Sequence, residues 1–151
     1  MVQQIPGLIR WTLVATTLGV ALMLPSRAQS SGKGKFQGRG LATGSVFGVG
    51  RNVTASLTFH RGNFTFSLAV PPPKGAQKVT YRGTYPKLQK VGTDSRDFIL
   101  EGQIQTFTGS YNTQMQINTS GTCRIEVVDS QVRASRCRTA KRVNSTEFNG
   151  A

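Results

Sequence analysis

Strict alternation of apolar and polar residues is the feature of this chain that most restricts its fold. In the segments VTASLTFH (residues 53–60) and FTFSLAV (residues 64–70), every second residue is apolar and those between are mostly threonine or serine. Successive side chains of a β-strand point to opposite faces, so each segment offers one face to a core and one to solvent. The two segments therefore predict adjacent strands of an antiparallel sheet.

The residues RGN between these segments predict a hairpin turn, for which two registers are open. A two-residue turn would have Gly62 and Asn63 at its centre and would place Phe59 opposite Phe66. A four-residue turn that ends at Asn63 would place Phe59 opposite Phe64. Both registers keep the apolar residues on one face, and the Gly-Asn dipeptide favours the shorter turn.

The rest of the chain repeats the strand pattern and shows no helical one. Further strands are predicted at residues 78–85, 98–109, 113–118, 123–128 and 132–137. We expect a loop at 91–97, a kink at Gly102 and a turn at 119–121, because Gly, Asp, Ser and Asn interrupt strands there. Seven or eight strands joined by short connections predict an all-β fold, either a small antiparallel up-and-down barrel or a two-layer sandwich.

The N-terminus has the pattern of a secretory signal peptide. An uncharged apolar run at residues 11–24 follows Arg10, and Ser26 and Ala28 supply the small residues of a cleavage site. We therefore expect cleavage after Ala28 and export to the periplasm or the extracellular space. Residues 29–35 are predicted to be a flexible basic Gly/Ser tail, and residues 36–151 a single β domain.

Two cysteines remain after the predicted cleavage, Cys123 and Cys137. If residue i of one strand pairs with residue 260 − i of the next, Val128 faces Val132 and the two cysteines face each other. Directly opposed residues of antiparallel strands lie within the Cα separation that a disulfide accepts. An even number of cysteines in an exported chain is typical of a structural bridge, so we predict Cys123–Cys137.

Positive charge is the strongest functional indication in the sequence. The chain has 19 Lys and Arg against six Asp and Glu, and removal of residues 1–28 leaves 17 basic and six acidic residues, a formal net charge of +11. Such a surface attracts anionic partners: an acidic polysaccharide, a cell-wall polymer, lipid headgroups or an acidic protein. The candidate anion-binding residues are Arg124, Arg133, Arg136, Arg138, Lys141, Arg142, Lys78 and Arg82.

The positive charge has two other interpretations. A basic surface also serves solubility alone. Extracellular nucleic acid is a further candidate partner, although the chain lacks the aromatic-interleaved motif of RNA-binding sheets; intracellular nucleic acid is not expected.

Catalytic and metal-binding patterns are weak, so we expect neither an enzyme nor a cofactor. His60 is the only histidine, and its alternation places it on the polar side of its strand. Asp97 and Glu101 lie four residues apart on one strand, about 13 Å, which exceeds the separation of glycosidase carboxylates. Asp94 fits a turn-stabilising role. No zinc or calcium ligand spacing is present, and the sequence predicts no metal site.

Two alternatives from other functional classes remain open: a barrel that carries a small apolar ligand in its interior, and an enzyme with an unrecognised site. Binding at a charged surface should weaken with salt, whereas carriage should persist in salt and needs a roomy interior. An enzyme should bring His60 close to an acid. Sequons would accept N-glycans in a eukaryotic secretory pathway and would stay bare after bacterial export; they begin at Asn52, Asn63, Asn118 and Asn144.

Overall fold

The protein is described by a computed structural model that covers residues 33–73, 77–110, 114–141 and 144–151. The predicted signal peptide, most of the predicted tail and Arg142 lie outside these residues. The described chain is nearly all β and confirms the predicted class. Its nine strands are β1 (Gly34–Gly44), β2 (Gly48–His60), β3 (Asn63–Ala69), β4 (Lys78–Thr84), β5 (Leu88–Lys90), β6 (Phe98–Ser110), β7 (Gln114–Val128), β8 (Gln131–Thr139) and β9 (Thr146–Gly150).

Eight of these strands form a closed up-and-down barrel. Each strand pairs antiparallel with the next one along the chain, from β1 to β4 and then from β6 to β9, and the barrel closes through β4–β6 and β9–β1. The short β5 pairs with the start of β6, where β4 has already ended. Of the two predicted architectures, the structure therefore has the barrel.

The β2–β3 hairpin corrects the preferred register. Phe59 pairs with Phe64 and Leu57 with Phe66, so the favoured Gly62-Asn63 turn was wrong. The two turn residues are Arg61 and Gly62, both with positive φ (47° and 79°), which is the backbone of a tight two-residue hairpin. Since both registers bury the same face, the apolar pattern alone could not separate them.

Strand β7 corrects a second prediction. The expected turn at residues 119–121 does not form, because β7 runs without a break from Gln114 to Val128. The residues of the expected turn form a bulge within β7 instead: between the pairs Ile104–Gly121 and Thr106–Asn118, Thr119 and Ser120 oppose the single residue Gln105 of β6. The kink expected at Gly102 is thus displaced to this bulge, which gives the two long strands the bend that a closed barrel requires.

The disulfide prediction is confirmed. Cys123 and Cys137 face each other on β7 and β8, are bridged, and are buried inside the barrel. The predicted register fails only near the turn, where Val127 pairs with Val132 and Val128 pairs with Gln131. A bulge and a two-residue Asp-Ser turn with positive φ at both positions replace the expected three-residue connection.

Large side chains fill the barrel interior, as is usual for eight strands. One end holds a cluster of four aromatic rings with centroids 5.1–5.9 Å apart in the contacting pairs: Phe36, Phe59, Tyr85 and Phe98. Further along, Tyr81 packs against Phe107, and its hydroxyl donates to the carbonyl of Asn144 at 2.7 Å. Because most apolar side chains of the barrel strands point inward, the outer wall consists mainly of polar and charged ones; Leu41 and Val49 are exposed exceptions.

Candidate anion-binding surface

Three of the predicted arginines lie together on the outer wall of β7 and β8. Arg124, Arg136 and Arg138, called here the arginine cluster, line a cavity of about 450 Å³ that also touches Glu101 and Gln103 of β6. Arg124 and Arg136 are directly opposed in register, as the sequence predicted. The fold therefore brings part of the predicted site together.

Carboxylates surround this cluster and offset its charge. Arg124 pairs with Glu101 at 2.7 Å and with Glu126 at 3.2 Å. Arg136 Nε lies 2.9 Å from Glu147 Oε1. Two of the three guanidinium groups are thus already engaged by acidic side chains, which leaves Arg138 as the member with no ion pair to a described acid.

The other candidates that the structure describes do not line this cavity. Arg133 donates to the carbonyl oxygen of Ala151, and Lys141 is exposed just after β8. Lys78 and Arg82 are exposed on β4, which pairs with β3 and β6 rather than with β7 or β8. The eight candidates therefore do not form a single surface.

Charge is divided unevenly along the chain. The first acidic residue is Asp94, so residues 29–93 carry ten Lys and Arg and no acid, whereas residues 94–151 carry seven Lys and Arg and six acids. The formal net charges of the two parts are +10 and +1. The ten basic residues are Lys33, Lys35, Arg39, Arg51, Arg61, Lys74, Lys78, Arg82, Lys87 and Lys90.

This division follows the barrel wall. Residues 33–93, called here the acid-free half, form β1 to β5, and β1 to β4 are consecutive neighbours that make up half of the barrel. Lys35 and Arg39 point outward on β1 and line a cavity of about 660 Å³ against Gln131 of β8. Reasoning from local clusters of basic residues found only Lys78 and Arg82 of this surface, although the absence of acids before Asp94 was visible in the sequence.

His60 is exposed at the end of β2, beside the hairpin turn, where its alternation placed it. It lines a cavity of about 300 Å³ with Lys33, Phe59 and Asn63 among others, and the described residues around that cavity include no carboxylate, serine or cysteine. Across the described parts of the chain, no three His, Cys, Asp or Glu side chains converge as a metal site.

The loop between β5 and β6 contains an ion pair of its own. Arg96 donates from its side chain and its backbone N–H to Asp94, with an Nη2–Oδ2 distance of 2.8 Å. These hydrogen bonds lower the pKa of the Asp94 carboxyl to about 2. Asp94 is therefore satisfied within its loop, the turn-stabilising role that its sequence context predicted.

Within the described ranges, no helix is long and apolar enough to cross a membrane. Compared with known protein families, with curated proteins and with solved structures, the sequence matches none of them.

Proposed function

We propose that this protein is a small exported β-barrel that binds an anionic partner through the Lys and Arg side chains of its acid-free half. The observation that carries the proposal is the division of charge: +10 on residues 29–93 against +1 on residues 94–151. A surface with basic groups and no acids produces a positive potential that concentrates polyanions near it.

The predicted candidates divide into two groups under this proposal. Lys78 and Arg82 belong to the acid-free half and are among its leading binding residues. Arg124 and Arg136 are already paired with carboxylates, so an incoming anion would have to compete with Glu101, Glu126 and Glu147. We therefore assign the arginine cluster a lesser part in binding.

Export supports an extracellular or periplasmic partner. The Cys123–Cys137 bridge is consistent with an oxidising compartment, where disulfides form and persist. The signal-peptide pattern at residues 1–28 predicts the same destination. A non-enzymatic binding role suits this surface, since attraction of a polyanion needs charge but no reacting group.

Carriage of a small apolar ligand is the competing function that an eight-stranded barrel also allows. Such a ligand would have to share the interior with the rings of Phe36, Phe59, Tyr85 and Phe98 at one end. Salt separates the two functions, because screening weakens binding at a charged surface and leaves burial of an apolar ligand intact.

The test is retention of the purified protein on a sulfated polysaccharide matrix as salt is raised, with an uncharged dextran matrix as the control. We expect retention on the sulfated matrix beyond physiological salt and none on dextran. Elution from both matrices at or below physiological salt would show that the charge serves only solubility. Salt-insensitive uptake of an apolar dye by the barrel, without retention on the sulfated matrix, would favour ligand carriage.

A further inference from the structure

We infer that the outer wall of β1 to β4 is a docking face for a linear acidic polysaccharide that lies across the strands. This inference rests on the proposed function, because it names the surface and the partner class for the anion binding argued above. It depends on a regular arrangement of twelve outward-facing residues, called here the basic wall.

The strand registers arrange the basic wall in three cross-strand rows. The first row is Lys35, Thr58, Thr65 and Arg82; the second is Gln37, Ser56, Ser67 and Thr80; the third is Arg39, Thr54, Ala69 and Lys78. All twelve side chains are exposed or half-buried. A cation therefore stands at each end of the two outer rows, with short polar or small side chains between.

The spacing of the four cations fits an extended polyanion better than a single small one. Three strand spacings of about 4.8 Å separate Lys35 from Arg82, which is roughly 14 Å, and four residues along a strand separate Lys35 from Arg39, about 13 Å. These are backbone separations, so a lone sulfate or phosphate at one end of a row is beyond hydrogen-bond distance of the cation at the other end unless both long side chains bend towards it. A linear polymer with repeated anionic groups is long enough to contact the cations at both ends of a row at once.

The side chains between the cations favour a sugar polymer. Six of them carry hydroxyls that are able to hydrogen-bond sugar hydroxyls or sulfate oxygens: Thr54, Ser56, Thr58, Thr65, Ser67 and Thr80. Ser67 and Thr80 already lie within hydrogen-bond distance, 2.9 Å apart. Hydroxyls of this kind act as donor and acceptor at once.

Other polyanions lack matching features on the basic wall. Its twelve residues include no aromatic side chain, whereas single-stranded nucleic acids are usually held by stacking on aromatic rings. They include no apolar side chain larger than Ala69, and the exposed large apolar residues on these strands, Leu41 and Val49, lie beyond the third row. Interfacial lipid binding relies on a continuous set of buried apolar groups beside the charges. The chemistry therefore favours the acidic polysaccharide over nucleic acid and over a membrane surface.

The edge of the basic wall opens into the cavity between β1 and β8. Lys35, Gln37 and Arg39 line both the basic wall and this cavity of about 660 Å³, and no Asp or Glu side chain lies among its described lining residues. β9 ends at Gly150 opposite Gly40; beyond it, Ala151 N–H donates to the Arg39 carbonyl and Gln37 pairs with Gln131 of β8, so the cavity is a recess in the outer wall. A polymer that crosses the rows thus has room to continue over this edge.

The experiment compares two variants that lose the same charge. The wall variant carries Lys35→Gln, Arg39→Gln, Lys78→Gln and Arg82→Gln, and the matched control carries Arg124→Gln, Arg136→Gln, Arg138→Gln and Lys141→Gln. Binding to dextran sulfate and to polygalacturonate is measured at several salt concentrations. Binding to phosphatidylglycerol vesicles and to single-stranded DNA is measured at the same concentration of anionic groups. Circular dichroism checks each fold, and the two-residue variant Lys35→Gln, Arg82→Gln replaces the wall variant if that one unfolds.

We expect the wall variant to bind both polysaccharides at least tenfold more weakly and with a shallower salt dependence, whereas the control loses threefold or less. A second variant, Thr58→Val with Thr65→Val, keeps the charge and should weaken polysaccharide binding severalfold without changing the salt dependence. Equal losses in the wall and control variants would overturn the inference and leave the proposed function standing. Tighter binding of the wild type to vesicles or DNA than to either polysaccharide would also overturn it, and no binding to any polyanion would remove the proposed function itself.

Discussion

Lys35 on β1 and Arg82 on β4 stand at opposite ends of one cross-strand row, with Thr58 and Thr65 between them. Residues paired across antiparallel strands share a face of the sheet, so both cations project from the outer wall of the barrel. Neither is among the residues that form ion pairs with acids in the described chain, which are Arg96, Arg124 and Arg136. The net positive charge of this protein is therefore concentrated on the side of the barrel formed by β1 to β4.

The opposite side of the barrel mixes both signs, and its ion pairs should contribute little to stability. Arg124 and Glu101 are about half exposed, with side-chain accessibilities of 49% and 60%. Exposed pairs contribute at most about 1 kcal/mol. A double-mutant cycle with Arg124→Gln and Glu101→Gln, followed by urea unfolding, should give a coupling free energy no larger than this. A coupling above about 2 kcal/mol would mean that the pair is far better shielded from solvent than its exposure indicates.

The Cys123–Cys137 bridge should stabilise the barrel mainly by restricting the unfolded chain. The bridged residues are separated by 14 positions, and closing a loop of this length is worth about 3 kcal/mol in the chain-entropy model. We expect Cys123→Ala with Cys137→Ala to lower the free energy of unfolding by about that amount. Urea denaturation of the wild type with and without reductant provides the control. A loss near zero in both measurements would contradict a structural role for the bridge.

Two buried tyrosines should respond in opposite ways to loss of their hydroxyls. The Tyr81 hydroxyl donates to the Asn144 carbonyl and lies 3.0 Å from Thr146 Oγ1. Tyr81→Phe leaves these acceptors short of a partner and should lower the free energy of unfolding by about 1–2 kcal/mol. The Tyr85 hydroxyl is buried with no hydrogen-bond partner in the described chain, so Tyr85→Phe should be neutral or stabilising. Equal thermal shifts for the two variants would contradict these assignments.

The loop between β5 and β6 offers a test by titration. Hydrogen bonds from Arg96 lower the pKa of Asp94 to about 2, from an ordinary value of 3.8. A lowered carboxyl pKa means that this contact stabilises the folded loop above the ordinary value and that the stabilisation disappears as the pH falls towards 2. Arg96→Gln should return the Asp94 pKa towards 3.8, measured by NMR titration of the carboxyl carbon. An unchanged pKa in this variant would show that Arg96 is not the cause.

Sequence reasoning was most reliable where one physical rule decided the outcome. Alternation settled the all-β class and the inward face of β2 and β3, and opposed positions on adjacent strands settled the disulfide. It failed where two solutions bury the same residues, as in the pairing of Phe59 with Phe64, or where residues typical of a turn form a bulge within a continuous strand, as Thr119 and Ser120 do. These outcomes depend on the backbone conformation of the turns and on how the barrel closes. The pattern of apolar residues contains no information about either.

The candidate site shows a different kind of gap. Counting nearby basic residues selected Arg124 and Arg136 but could not reveal that Glu101 of β6 and Glu147 of β9 would fold against them. Only Glu126, two residues from Arg124 on β7, was near in the sequence. The acid-free half could be recognised in the sequence as a stretch without Asp or Glu before Asp94. Its meaning depended on the fold, because only the barrel places β1 to β4 side by side.

Mapping the contact surface by NMR tests the central claim most directly. Backbone amide shifts are followed while a short sulfated oligosaccharide is added to the wild-type protein at low salt. Binding through the acid-free half predicts that the largest shifts fall in residues 35–39, 54–58, 65–69 and 78–82, and that they vanish as salt is raised. Largest shifts in residues 123–128 and 136–139 would instead place the anion on the arginine cluster and contradict the account.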